Sequence, residues 1–159
     1  MKISLLAIGR VRGPVAEAVA DYEGRIRRYY TYEAAEVKEE PARKPGDADR
    51  VRDEEGKRLL ARVGPGMEVV ALHRGGVQWS SDRLSTYLTE LGVRASPGAA
   101  FVIGGAFGLS DELLRRATHK LSISAFTLPH ELARLVLTEQ IYRAGTIARG
   151  EPYHKGRET

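Results

Sequence analysis

The chain has 159 residues, 42% hydrophobic and 29% charged, with 25 Lys+Arg against 21 Asp+Glu for a formal net charge of +4. That length predicts one domain of ordinary globular composition, and the lack of cysteine excludes disulfides and thiolate metal sites. No apolar run approaches the ~20 residues of a membrane span, and the opening MKISLLAIGR has no small-residue cleavage site, so a cytoplasmic protein without a membrane partner is expected.

Lys2 to Gly9 (KISLLAIG) is an apolar run closed by glycine and reads as a buried strand. Pro14 suits the first turn of a helix on which Val15, Ala18, Val19, Tyr22 and Ile26 recur at helical spacing. Thr31 to Lys38 is a weaker strand pattern, and Pro41 to Asp49 has the polar, Pro- and Gly-containing composition of a loop. Asp47 or Asp49 is placed to cap a mostly charged helix reaching to about Arg62, which Gly64-Pro65-Gly66 stops. Met67 to His73 predicts a third buried strand ending at Arg74-Gly75-Gly76, and Ser80 or Ser81 caps a helix to about Leu91. Ala100 to Ile103 is a strand ended by Gly104-Gly105, and Asp111 starts a helix to about His119. Lys120 to Phe126 is the last strand, and Pro129 opens the last helix, to about Gly145. Alternation at this spacing predicts an α/β fold, a mainly parallel sheet with helices on both faces.

The stretch from Phe101 to His130 carries the candidate site, because strands that end in Gly- and Pro-controlled turns build ligand crevices. Gly104, Gly105 and Gly108 do not make G-x-G-x-x-G, and no G-K-[ST] is present, so neither a dinucleotide fingerprint nor a P-loop is indicated. The alternative reading of the glycines is a tight strand-to-helix turn. Four histidines lack metal-ligand spacing, and no G-x-S-x-G elbow surrounds Ser110, so metal and serine-hydrolase sites are not expected. His119 reads as an exposed helix end and Trp79 as core packing. Arginines at 10, 12, 25, 27 and 28 suit phosphate oxygens, or else belong to a solvated face. The last helix is apolar on more than one face, which fits either a second subunit or burial in its own core. Glu139 and Arg143 stand four apart on it. The tail carries Arg149, Tyr153, His154 and Lys155; such tails are usually disordered, although a His beside a Tyr can serve acid–base chemistry or stack on a base.

Four segments together carry a resemblance: IGGAFGL (Ile103 to Leu109), LSISAFTLPH (Leu121 to His130), LTEQIYRAGTI (Leu137 to Ile147) and Glu151-Pro152-Tyr153-His154-Lys155. In this order they closely resemble the ribosomal RNA large subunit methyltransferase H family, SPOUT-class enzymes that methylate N3 of pseudouridine 1915 in 23S ribosomal RNA on the assembled ribosome. The resemblance covers essentially the whole chain. It implies a C-terminal trefoil knot, a homodimer and S-adenosylmethionine as cofactor. By position it assigns the cofactor to Leu72, Gly104 and the run Ile123, Ser124, Ala125, Phe126, Thr127 and Leu128, with Gly105 and Gly108 shaping the loop. His154 or Tyr153 is then expected to assist deprotonation, and Arg134 or Arg143 to hold the base or a phosphate. The competing readings are an RNA-binding protein without catalysis and an enzyme for a different nucleotide.

Overall fold

A computed structural model describes residues 1–154, His154 by its backbone alone; the tail residue Lys155 lies outside the described residues. The elements in chain order are β1 (Lys2–Ile8), α1 (Gly13–Ile26), β2 (Thr31–Val37), α2 (Ala48–Leu60), β3 (Glu68–Gln78), α3 (Ser81–Val93), β4 (Gly98–Ile103), α4 (Asp111–Arg116), β5 (His119–Ser122) and α5 (His130–Ala148). A short 3-10 turn, Pro152–His154, follows. The sheet has five strands in the order β2-β1-β4-β3-β5, and each neighbouring pair runs parallel. All strand carboxyl ends therefore meet at one edge.

A parallel sheet is covered on both faces, which is why β1 and β4 are near-continuous apolar runs. Successive side chains alternate between the faces. Ile3, Leu5 and Phe101 pack with Tyr87 and Leu88 of α3 and with Leu137 and Ile141 of α5. Leu6, Ile8 and Val102 point the other way, against Leu59 of α2 and Leu113 of α4. The layers are thus α1, α3 and α5 on one side and α2 and α4 on the other. The predicted α/β sandwich is the observed one.

Caps follow the chemistry of their residues. The Ser80 hydroxyl accepts the Arg83 N–H at 3.0 Å and starts α3. Asp47 precedes α2 without capping it. Its carboxylate instead accepts from Arg50 Nη2 at 2.8 Å and from the Arg43 N–H at 2.8 Å, which holds its pKa well below the usual carboxylate range.

Three boundaries around β5 differ from expectation. β3 does not end before Gly75-Gly76. It bulges, so that Leu72 and Val77 both pair with Leu121, and it continues to Gln78. Gly76 permits this because a Cβ there would lie 2.6 Å from the Lys120 carbonyl carbon. The partner strand β5 is short, and residues 123–128 leave the sheet instead of extending it. His119 is accordingly not an exposed helix end. α4 stops at Arg116, the Thr118 N–H binds the Val69 carbonyl at 2.8 Å, and His119 opens β5. There its ring meets Trp79 and Tyr87, each at 5.1 Å between centroids. Trp79 packs against the core as expected.

Two glycine substitutions should move stability in opposite directions. Gly76→Ala forces the β3–β5 backbones apart and is expected to cost about 1–3 kcal/mol. Gly24→Ala fills open space inside α1, where nothing lies within 4 Å, and should stabilise by about 0.5–1 kcal/mol. Urea unfolding midpoints of the two variants check both signs.

Candidate active site

The carboxyl edge of the sheet opens into a cleft of about 690 Å³. One wall is the loop after β4, Gly104 to Leu109, and the other is the segment Ile123 to Leu128 after β5. Leu72, Ile103 and Leu121 form the base between them. Each residue predicted for the cofactor lines this cleft except Ala125, which lies within the second wall and is exposed.

The glycine wall is built by close approach. Gly108 has φ +82°, and its N–H returns to the Gly105 carbonyl at 3.0 Å, folding the loop on itself. Gly105 has no space for a side chain: a Cβ would sit 2.9 Å from Ile8 Cγ2 and 3.0 Å from Glu55 Oε1. Behind the loop, α2 supplies a back plate at helical spacing. Arg52 Nη1 donates to the Phe107 carbonyl at 3.4 Å, Glu55 stands against Gly105, and Gly56 packs on Ser110. Ser110 in turn caps α4 by accepting the Leu113 N–H at 3.2 Å.

Glu55 is buried, and its partners are incomplete. Oε2 accepts the Glu40 N–H at 3.2 Å, while Oε1 has no hydrogen-bond partner. Burial pushes its pKa up, and the Glu39 charge adds to the effect. The second wall is held by its own serines. Ser122 Oγ donates to the Ser124 carbonyl at 3.1 Å, and Ser124 Oγ accepts the Phe126 N–H at 3.0 Å. Because residues 123–128 belong to no helix or strand, much of their backbone polarity is available to a ligand. Phe126 is 80% exposed at the mouth.

The other predicted site residues lie elsewhere. Arg143 donates to Glu139 Oε1 from Nε at 3.0 Å and Nη2 at 2.6 Å, and its guanidinium stacks on the Tyr153 ring at 4.9 Å. The Tyr153 hydroxyl donates to the same Glu139 oxygen at 3.0 Å and lies 3.5 Å from the Tyr22 hydroxyl. Burial, with the bonds to Tyr22 and Glu139, pushes the Tyr153 phenol far above its usual pKa. The tail is also pinned through Glu151, which accepts from the Tyr29 hydroxyl at 2.5 Å and helps push that phenol up to about 12. Arg134 is buried between Glu23 Oε1 at 3.7 Å and Glu36 Oε1 at 3.4 Å, with Nε and Nη1 lacking hydrogen-bond partners. The side chain of His154 lies outside the described structure. Arg143 sits thirteen positions after His130, which lines the cleft, so within one chain the two groups are roughly 20 Å apart along α5 at about 1.5 Å per residue.

Sequence reasoning missed the back plate and the cleft positions His73, Arg74 and His130. Glu55 gave no signal because it sits in a helix of charges, ADRVRDEEGKRLL. His130 stands inside the quoted LPH segment but was given no role.

A parallel α/β sheet with a ligand-sized cleft at its carboxyl edge defines a cofactor-binding α/β protein. A family model described as predicted SPOUT methyltransferase matches residues 1–154, and the chain belongs to that methyltransferase family. It is 49% identical over 156 residues to a ribosomal RNA large subunit methyltransferase H of Gemmatimonas aurantiaca, covering 98% of this chain and 100% of that one. It is 44% identical over 155 residues to a protein of the same name from Syntrophotalea carbinolica, covering 97% and 99%. Among solved structures, a probable methylase family protein from Haemophilus influenzae Rd KW20 superposes with a TM-score of 0.52 at 10% identity. The match spans 98% of this chain and 70% of the other, and it shows the shared fold.

Glu55 makes stability fall with pH. Its native pKa is raised above the ordinary 4.5, so the native state holds the proton more tightly than the unfolded chain and stability declines as pH rises from there through the raised value. Glu55→Gln should remove that decline and be the more stable protein at pH 8, whereas Gly105→Ala, crowding Ile8 and Glu55, should lose about 1–3 kcal/mol at any pH. Chemical denaturation of the three proteins from pH 4 to 8 checks both statements.

Proposed function

We propose that the protein is an S-adenosylmethionine-dependent methyltransferase that methylates N3 of pseudouridine 1915 in 23S ribosomal RNA on the assembled ribosome. In this reading residues 1–159 form one cytoplasmic SPOUT domain, with a C-terminal trefoil knot, acting as a homodimer. The observation that carries it is the cleft between the glycine loop and residues 123–128, in a chain aligned end to end with relatives named for ribosomal RNA methylation.

The cofactor fits this cleft. Its volume lies within the usual range for small-molecule sites, roughly 300–1,000 Å³. Gly104 permits close approach, and Leu72, Phe126 and Leu128 supply apolar walls for an adenosine. Gly105 and Gly108 keep the loop thin. The main chain of Ile123, Ser124, Ala125, Thr127 and Leu128 offers N–H and C=O groups to a purine edge. The bound cofactor supplies an electrophilic methyl group on a sulfonium. The protein's task is then to align an acceptor nitrogen and remove its proton.

Proton removal falls to His154. Tyr153 is held protonated by burial and by its bond to Glu139, so it acts as a donor that places the tail, and Arg143, oriented by Glu139, positions the base or a phosphate. Arg134 braces the start of α5 between Glu23 and Glu36, and reaches an RNA phosphate only if those contacts loosen. The separation of the tail cluster from the cleft within one chain supports the homodimer, since a second copy can bring its tail to this cleft. The outward apolar positions Leu132 and Val136 on α5 are consistent with such a contact.

Calorimetric titration should show S-adenosylmethionine binding, and ribosomes lacking the modification should gain a methyl group on pseudouridine 1915 detectable by mass spectrometry. A dimer that binds no S-adenosylmethionine sinks the proposal. His154→Ala should lower kcat by about 10²–10⁴-fold while leaving cofactor affinity unchanged; full turnover by that variant removes the residue from the mechanism.

A further inference from the structure

We propose that the turn after β1, together with the start of the β2–α2 segment, is the RNA phosphate track beside the cleft, with Arg10, Arg12 and Lys38 as the groups that bind it. The inference rests on the RNA methyltransferase reading above and locates the partner on the surface.

The parallel register places these residues. β1 lies between β2 and β4, with Ile8 opposite Val37 and Ala7 opposite Ile103. The Gly9 N–H binds the Val37 carbonyl at 3.0 Å, so the chain emerges from β1 between Lys38 and the glycine loop. A Cβ on Gly9 would meet His130 Cε1 at 3.5 Å and Glu39 Oε1 at 2.8 Å. The turn is therefore packed against a residue that lines the cleft, and Arg10 and Arg12 rise at its border. Arg74 stands across the cleft on the β3 bulge. Since β1 and β3 are two strand spacings apart, at about 4.8 Å each, the two sides are separated by roughly 10 Å. A few nucleotides bridge that distance.

Charge pairing separates this border from six arginines of the surface. Arg25, Arg50, Arg52, Arg58, Arg83 and Arg94 are each matched to a carboxylate of Asp21, Asp47, Asp49, Glu40, Glu90 or Glu68. Among the described residues, Arg10, Arg12, Lys38 and Arg74 are exposed with no ion-pair partner. Arg27, Arg28, Arg43, Lys44, Arg62, Lys120 and Arg149 carry no ion pair either, so what distinguishes the border is the lack of a partner together with its place beside the cleft. Glu39 faces Gly9 from the β2 side and is the acidic neighbour of the turn. Unpaired guanidinium and ammonium groups around a cleft whose substrate is a polyanion are free to replace counterions on its phosphates.

α4 supplies an internal control. It runs from the carboxyl end of β4 back to the start of β5, so Arg115 and Arg116 in its last turn sit at the opposite edge of the sheet, also exposed and unpaired.

The test is the salt dependence of binding to assembled ribosomes that lack the modification, for the wild type, an Arg10→Ala, Arg12→Ala and Lys38→Ala variant, and an Arg115→Ala and Arg116→Ala variant. For the border variant the slope of log affinity against log salt should fall by about one for each phosphate that is no longer neutralised, with affinity at low salt down about tenfold or more. Its S-adenosylmethionine affinity should match the wild type, which shows the cleft intact. Wild-type slope and affinity in the border variant overturn the proposal, as does an equal loss in the α4 variant. A wild type that binds no unmodified ribosomes sinks the functional reading itself, a result separate from wild-type binding that the border variant leaves unchanged.

Discussion

Every residue of β4 is out of water, and both layers of the molecule are pressed onto it. It pairs with β1 on one side and β3 on the other, Phe101 joins the layer of α3 and α5, and Val102 joins the layer of α2 and α4. A strand buried on both faces has no polar side of its own. The chain can meet solvent and ligand only where the strand stops, at Gly104. The position of the cleft follows from that constraint, because the first residues able to leave the sheet are the glycines that form its wall.

The same constraint explains what could be read in advance. Continuous apolar runs marked β1 and β4, and the Ser80 cap and Pro14 marked helix starts, since each signal is local. Gly75-Gly76 looked like Gly104-Gly105 in sequence, yet one pair sits inside a strand and the other ends one. The difference lies in what stands opposite: the Lys120 backbone crowds Gly76, whereas Ile8 and Glu55 crowd Gly105. Such neighbours are distant in sequence and leave no local pattern. His119 was misread for the same reason, since the bond from Thr118 to Val69 that turns it into a strand residue joins segments far apart.

In the candidate site, the glycine loop and the LPH segment stood out because backbone chemistry needs those residue types. The partners that orient the tail did not. Arg143 and Glu139 were visible as a helix pair, but Tyr22 and Tyr142 come from other positions on α1 and α5. Their rings, with Tyr142 and Tyr153 at 4.6 Å between centroids, build the surface on which the tail rests. α5 therefore carries two tasks on one rod. Its first turn closes the cleft, and its last turns hold the aromatic bed.

α4 has six residues, too few to persist as an isolated helix. Its cap, Ser110, directly follows the glycine wall and rests on Gly56 of α2. Opening the wall therefore uncaps the helix, and unwinding the helix releases the wall. The two are expected to open together as one unit of local unfolding, with the amides of α4 exchanging when the loop opens.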